Sequence, residues 1–342
     1  MKNYLEKIFN RAPLKIKYLI LKMYKYINFE KSNVLKEYLD KKVILMRCLE
    51  NKLKINPNKE KQEILNVLKN KFDGVGIPYY WTNKYKKENI KIQHDSKSKY
   101  NFVMHQNKPL YFPLNMSNQE IKILYNSLLI EQDENSPHLY LTPDFTLQKG
   151  EFKEENDIIL DVGAAEGIFT LSNIDLIKKA YLFECDEDWI EPLKLTFKPY
   201  KEKVEIVNRY VSDTTSDKTI TLDDFYNQID KEEINFIKVD IEGAEFDLLK
   251  GAKKLLKNSK NLKLAICTYH EQEDAEIFEN FLIEKGYSCE FSKGYMAVFC
   301  GEFKYPYLRK GLIRAKKKIN DLKSDLLTKK SRTFFKYLIY SS

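Results

Sequence analysis

The sequence predicts an α/β chain: an open, mostly parallel sheet finished by an antiparallel hairpin, with helices ahead of it and a basic tail behind it. Three observations predict this. Five short apolar runs between residues 158 and 268 alternate with amphipathic helical stretches. The first run passes straight into a glycine-bearing turn and a helix. A sixth run, Gly286-Tyr287 to Phe291, is followed by a Lys293-Gly294 turn into Tyr295–Phe299, which reads as the hairpin.

The first run, Ile158 to Val162, is apolar without alternation and carries Asp161 at its end, the pattern of a strand covered on both faces. Ile168, Leu171, Ile174 and Ile177 then recur at helical spacing. Between them lies Asp-Val-Gly-Ala-Ala-Glu-Gly, residues 161–167. Gly163, lacking a β-carbon, is expected to take positive φ and admit a ligand to the backbone, and Gly167 to open a helix whose amides face that ligand. The turn is neither G-x-G-x-x-G nor a P-loop, and its two acids would repel a pyrophosphate while suiting a cationic ligand. It resembles motif I of class I S-adenosylmethionine-dependent methyltransferases, a Rossmann-like fold. That resemblance places Asp161, Gly163, Ala165, Glu166 and Gly167 around S-adenosylmethionine.

The second run, Tyr181 to Phe183, ends at Glu184 about twenty residues after the turn, where doubly wound folds place an acid on ribose hydroxyls. Asp186 is read as the cap of a helix starting near Trp189. The third strand, Val204 to Val211, is followed by Ser212 and Asp213, read either as an adenine contact or as a plain turn.

The fourth run, Ile234 to Val239, leads into Lys-Val-Asp-Ile-Glu-Gly-Ala-Glu, residues 238–245. With Thr-Leu-Asp-Asp-Phe at 221–225 and the earlier turn, this block resembles the FkbM-type methyltransferase family over roughly residues 150 to 300. The resemblance implies that Asp240 lies beside donor or acceptor and that Glu242 lines the acceptor side. Glu245, by chemistry alone, reads as an exposed helix residue.

The fifth strand, Leu262 to Thr268, delivers Tyr269 and His270 to the same sheet edge. A histidine titrates near neutral pH, so His270 suits the base that takes an acceptor's proton, and equally a residue that only positions substrate. Asp240 is the second catalytic candidate, and Tyr269 a substrate contact. Asp240, Glu242 and His270 have the chemistry to ligate a divalent ion, although no ligand spacing indicates one and none is expected. Cys48, Cys185, Cys267, Cys289 and Cys300 form no C-x-x-C pair, which fits a reducing compartment.

Four segments follow. Residues 1–75 read as a helical extension broken at Asn56-Pro57-Asn58; residues 76–149 as an accessory hairpin over 101–113, a helix over 117–130 and a lid; residues 150–303 as the methyltransferase domain; residues 304–342 as a basic amphipathic tail. Ser136-Pro137-His138-Leu139-Tyr140 ends the second segment, and His138 and Tyr140 are read as lid residues that meet the acceptor, or as a surface turn with one buried tyrosine.

Charge is concentrated at the ends: +5 over residues 1–40, +10 over 304–342 and −7 between, in a chain of net +8. In the tail Leu312, Ile319, Leu322 and Leu326 share a helical face among lysines, as Ile16, Leu19, Met23 and Ile27 do near the start. Such helices suit an anionic membrane surface, or pack on the catalytic domain. No apolar run approaches eighteen residues and the start lacks a signal-peptide core, so the expected place is the cytoplasm, peripheral at the inner membrane face. A nucleic-acid partner is disfavoured because no D/N-P-P-Y/F run occurs. The expected activity is O-methylation of a sugar hydroxyl in a surface glycan or its lipid- or nucleotide-linked precursor, as the resemblance implies. The alternatives are a polyketide or other secondary-metabolite acceptor, an RNA methyltransferase, and a nonenzymatic glycan-binding scaffold.

Overall fold

The computed structural model describes residues 32–70, 76–147, 157–229, 233–299 and 303–317. The helices read over residues 1–31 and the tail beyond 317 lie outside the described residues.

Two helices, α1 (Ser32–Ile55) and α2 (Lys59–Asn70), are separated at Asn56-Pro57-Asn58 as expected. An antiparallel meander follows, β1 (Ile92–His94), β2 (Asn101–His105) and β3 (Lys108–Phe112). Gln106 and Asn107, both at positive φ, make its two-residue turn. Helix α3 (Asn118–Glu131) starts at a capping box in which Ser117 and Glu120 satisfy each other's backbone N–H, worth about 1 kcal/mol.

The main domain runs β4 (Asp157–Val162), α4 (Ile168–Asn173), β5 (Ile177–Phe183), α5 (Glu187–Phe197) and β6 (Val204–Val207). The short pair β7 (Tyr210–Val211) and β8 (Thr219–Ile220) leads to α6 (Leu222–Gln228) and β9 (Ile234–Val239). Then come α7 (Glu245–Lys250), α8 (Lys253–Asn258), β10 (Lys263–Cys267), α9 (Asp274–Glu284), β11 (Tyr287–Phe291) and β12 (Leu312–Lys317). The seven-stranded sheet has the order β11-β12-β10-β9-β4-β5-β6. Pairing is parallel from β6 through β10, and β12 runs antiparallel to both its neighbours. The strand order reverses between β4 and β9, so ligands are expected beyond the carboxyl ends of those two strands. Every residue of β4 is buried, the reason its run shows no alternation.

Three readings are corrected here. Ile177, placed on a helix by its spacing, opens β5, because α4 ends after six residues. Tyr295–Phe299 is not the hairpin's second arm: β11 pairs with β12, and the described residues of the connection between them carry a single isolated bridge, Met296–Arg309. Leu312, read as part of the tail's apolar face, is the first residue of that central strand. The apolar run over 295–299 after the Lys293-Gly294 turn matched a strand, but those residues pack on α1 and α2 instead, with Met296, Ala297 and Phe299 joining Leu45, Leu49, Ile64 and Leu68.

One face of the sheet shares its core with the meander and α3 through Val103, Leu110, Phe112, Ile121 and Leu128, so residues 90–147 are packed onto the main domain. The other face buries α6 to α9 through Phe225, Leu248, Leu255 and Phe278. Among the described residues no helix is long and apolar enough to cross a membrane.

Gly163 shows how tightly the two central strand ends meet. Its φ is +74°, and a β-carbon there would lie 1.8 Å from the carbonyl oxygen of Asp240. Gly286 has φ +82° with nothing within 4 Å. Gly286→Ala should therefore lose only the left-handed backbone cost, about 1 kcal/mol, whereas Gly163→Ala should lose at least about 3 kcal/mol. Chemical denaturation of the two variants beside the parent checks the difference; equal losses would remove the strand-end contact from the account.

Candidate functional site

The glycine turn between β4 and α4 is fixed from below before any ligand is considered. The Asp161 side chain is fully buried, accepts a hydrogen bond from Thr170 Oγ1 at 2.7 Å and lies 3.1 Å from Lys238 Nζ. Lys238 also donates to the Gly163 carbonyl and passes over the Tyr140 ring. Burial alone would discharge this lysine, but the neighbouring Asp161 and Asp240 outweigh it and raise its pKa. Asp161 thus supports the turn and lines neither cavity beside it, which corrects its reading as a direct donor contact. Gly163 borders the cavities, and its missing β-carbon also admits the Asp240 carbonyl. Gly167 (φ +77°) caps α4, and a β-carbon there would press on Phe197 and Leu193 of α5.

Two cavities meet across this turn. The outer one, a cleft of about 460 Å³, runs from Glu184 and Tyr210 past Gly163 and Ala165 to Asp240 and Glu242. The inner one is small, lies behind the turn, and is walled by Glu131, His138, Tyr140, Glu166, Lys238 and Asp240. Gly163, Ala165 and Asp240 border both.

At one end of the cleft, Glu184 is buried and held by three backbone amides. Ala165 N–H donates to Oε2 at 2.7 Å, and Cys185 and Asp186 N–H donate to Oε1 at 2.8 Å. The carboxylate is locked in orientation, with acceptor capacity left on Oε2 toward the cleft. Asp186 caps α5 as expected, its Oδ1 accepting from Asp188 N–H. Ser212 and Asp213 do not reach the cleft. Their backbone packs against Gly251, and Asp213 faces Lys250 at 3.5 Å. The wall is made by Arg209, Tyr210 and Val211 instead, and Tyr210 presents an exposed ring. The Ser-Asp signal was a turn, as its alternative reading allowed; the aromatic two residues earlier was the overlooked cue.

The other end is built around Asp240. Its Oδ2 accepts from Tyr140 Oη at 2.9 Å and lies 3.4 Å from His138 Nε2; its Oδ1 accepts from Tyr269 Oη at 3.2 Å and lies 3.5 Å from His270 Nε2. Burial would raise the Asp240 pKa, yet the His138 contact and the charges of Lys238 and His270 override it and hold the carboxyl well below its usual range. His138 and Tyr140 are both buried, so they form part of the site's floor and not a surface turn.

His270 sits between three carboxylates. Nδ1 is 2.9 Å from Glu245 Oε1, and Nε2 is 3.6 Å from Glu242 Oε2 as well as near Asp240. Neither ring nitrogen completes a directed hydrogen bond, so the attraction is between charges. Burial lowers the His270 pKa, but Glu245, Asp240 and Glu242 outweigh it and raise it above 6.5. Glu245 corrects the sequence reading: it is fully buried, and its carboxylate accepts from the amides of Ile241 and Gly243. Glu242, at φ +55°, keeps its side chain 89% exposed at the cleft mouth. The ligand atoms of Asp240, Glu242 and His270 lie within 4.8 Å of one another, as do those of His138, Asp240 and Cys267.

Lys238 is the residue that sequence reasoning passed over, although it stands in the quoted Lys-Val-Asp-Ile-Glu-Gly run. A charged residue inside an apolar strand was the available signal.

Residues 26–289 match the family model described as the methyltransferase FkbM domain. Among solved structures, the FkbM methyltransferase from Methylobacillus flagellatus aligns at 19% identity and a TM-score of 0.37, over 60% of this chain and 56% of that one. The chain thus spans little more than half of that relative's length. An rRNA methylase from Streptococcus thermophilus aligns at 15% identity and a TM-score of 0.34, over 48% of this chain and 89% of that one. No curated protein matches the chain.

Glu166 faces the inner cavity with its pKa pushed up to about 7 by burial. A carboxyl raised from 4.5 is favoured protonated in the folded state, so its contribution to stability is lost as pH rises from 4.5 through 7. Glu166→Gln should remove that loss and stabilise the protein by up to about 3 kcal/mol at pH 8, with little change near pH 4.5. Thermal melts of both proteins across that range check it; a gain independent of pH would contradict the buried-acid account.

Proposed function

The chain belongs to the FkbM methyltransferase family, and from that premise we propose that it transfers a methyl group from S-adenosylmethionine to a hydroxyl oxygen. The acceptor we propose is a sugar of a surface glycan or of its precursor. The observation that carries the reading is Asp240: one ionised carboxylate bordering both cavities, ringed by two tyrosine hydroxyls and two imidazoles.

The donor is long, with a nucleoside at one end, an amino acid at the other and a sulfonium between. Glu184, with Arg209 to Val211, suits the nucleoside end, since a carboxylate fixed by amides is preorganised to accept two ribose hydroxyls. The inner cavity, with Glu131, Glu166 and Asp240 in its wall, suits the ammonium end. The sulfonium then falls near Asp240, whose retained negative charge favours a cation in a partly dry site.

Transfer breaks the sulfur–methyl bond, forms an oxygen–methyl bond, and leaves neutral S-adenosylhomocysteine, a methyl ether and one proton. His270 is placed to take that proton from an acceptor entering beside Glu242, and its three carboxylate neighbours stabilise the imidazolium so formed. The exposure of Glu242 supports an acceptor carried on a larger molecule, because the mouth is open on that side. The basic ends, which the sequence places at 1–40 and 304–342, suit work at an anionic membrane surface.

The substrate class is tested by deleting the protein from its host and looking for the loss of one methyl group in the extracted glycan; an unchanged glycan profile rejects the sugar acceptor. For the donor site, Glu184→Ala should weaken S-adenosylhomocysteine binding by roughly ten- to a hundredfold through loss of charge-assisted hydrogen bonds. Calorimetry that finds unchanged affinity in the folded variant would remove Glu184 from the site.

For the base, His270→Ala should lower turnover by roughly a hundredfold or more and leave donor affinity nearly intact. Because the base must be neutral and its pKa is raised, the acid limb of kcat/KM for the donor should have its midpoint above 6.5. A limb at or below 6.5 contradicts that role, and turnover abolished by EDTA and restored by Mg²⁺ would favour a metal on Asp240, Glu242 and His270.

A further inference from the structure

The site around Asp240 is gripped by two loops, one carrying His138 and Tyr140 and the other Tyr269 and His270. Neither loop is held by regular secondary structure where it meets Asp240. Two buried arginines meet their backbone carbonyls. Arg309, only 2% exposed, donates from Nη1 to the Tyr269 carbonyl at 2.7 Å and to the His270 carbonyl. Arg314, in the middle of β12, donates from Nε to the Tyr140 carbonyl at 3.1 Å and from Nη2 to the Leu139 carbonyl.

We propose that Arg309 and Arg314 are positioning residues of the methyl-transfer site, each holding from behind one of the two loops whose side chains grip Asp240. The proposal rests on reading Asp240, His138 and His270 as the reaction centre. Both arginines lie beyond the residues that the family model matches, 26–289, so the segment after the matched domain completes its site.

Chemistry and packing support this assignment over incidental contact. A guanidinium taken from water must be repaid by hydrogen bonds, and a planar fork that bridges two successive carbonyls fixes both the position and the direction of that backbone. The surrounding contacts act in the same sense. Thr268 N–H and Oγ1 donate to the Gly311 and Lys310 carbonyls at 3.1 and 2.9 Å, and Ser292 Oγ donates to the Pro137 carbonyl. Gly311 lies so close that a β-carbon would meet the Pro137 carbonyl oxygen at 2.2 Å. The strand places Arg314 on the same face as Leu312, toward the core that contains Tyr140, while Ile313 and Ala315 fill the opposite core.

Each arginine serves one loop, and that division supplies a test that general loosening would not imitate. His270 is faced by Glu245, Glu242, Asp240 and Asp274; His138 by Asp240, Glu131, Lys238 and Cys267. Proton NMR titration of the chain's four histidines, assigned with single His→Gln variants, reads the protonation midpoint of each. Arg309→Gln should shift the His270 midpoint by half a unit or more, roughly a threefold change in its protonation equilibrium, and leave His138 unmoved. Arg314→Gln should do the reverse. The corresponding Arg→Lys variants keep the charge and one donor, and should shift the same histidine by less; they carry the test alone if a glutamine variant does not fold. The test is the selectivity of the shift, whichever its sign, because loosening the loop lowers the midpoint while losing the guanidinium charge raises it; folded variants with both histidines unmoved, or with both moved alike by either substitution, overturn the proposal. Methyl transfer is not needed for this readout, so failure here is distinct from failure of the proposed activity.

Discussion

The contact between Gly163 and the Asp240 carbonyl is the constraint on which the rest of the site depends. Two parallel strands end side by side, and the turn leaving one rests directly on the backbone leaving the other, with no room for a β-carbon between them. That approach puts the glycine turn, which borders the cleft, next to Asp240, which borders both cavities. Lys238 ties the same two elements from beneath, bonding the Gly163 carbonyl and facing Asp161 at 3.1 Å. A buried pair of this kind contributes little net stability against an apolar replacement. What it contributes here is geometry, because one ammonium joins the acid near the end of β4 to the carbonyl of the turn that follows it.

Electrostatics follows from that placement. Asp161, Lys238, Asp240, His138, His270 and Glu245 form a continuous run of charged or titratable groups through the carboxyl ends of β4, β9 and β10. Lys238 and the two imidazoles hold Asp240 ionised, and the carboxylates in turn hold His270 more basic than free imidazole. Under the proposed reaction, a cationic donor entering beside Asp240 would meet a negative charge already in place. The same cation would repel protonated His270, which favours the neutral form when donor is bound.

The segment from Ser292 to Lys317 shows how a fold can distribute one task over distant sequence. It gives the sheet its antiparallel strand, packs Met296, Ala297 and Phe299 on the helical extension, and supplies Arg309 and Arg314 behind the two loops. Two of the charges counted toward a basic tail are therefore buried and engaged with backbone carbonyls, and do not belong to a surface that an anionic membrane would meet.

Local pattern sufficed wherever a residue's surroundings are set by its near neighbours. The run at 158–162, apolar but for Asp161, read as a doubly covered strand, Asn56-Pro57-Asn58 as a helix break and 117–130 as a helix, and Glu184 and Asp240 stood at strand ends where an open parallel sheet binds ligands. The family resemblance was carried by Lys238 to Glu245, contiguous in sequence. What the sequence could not decide were contacts between segments far apart in the chain. Whether Gly163 bordered a cavity alone or met the Asp240 carbonyl as well, whether Glu245 was exposed or buried under His270, and whether Tyr295–Phe299 or Leu312–Lys317 completed the sheet all depended on which distant surface lay opposite. A short apolar run fits a sheet strand and a helix-packing surface equally well. Only tertiary structure chooses between them, because burial belongs to the pair of surfaces in contact and not to either one alone.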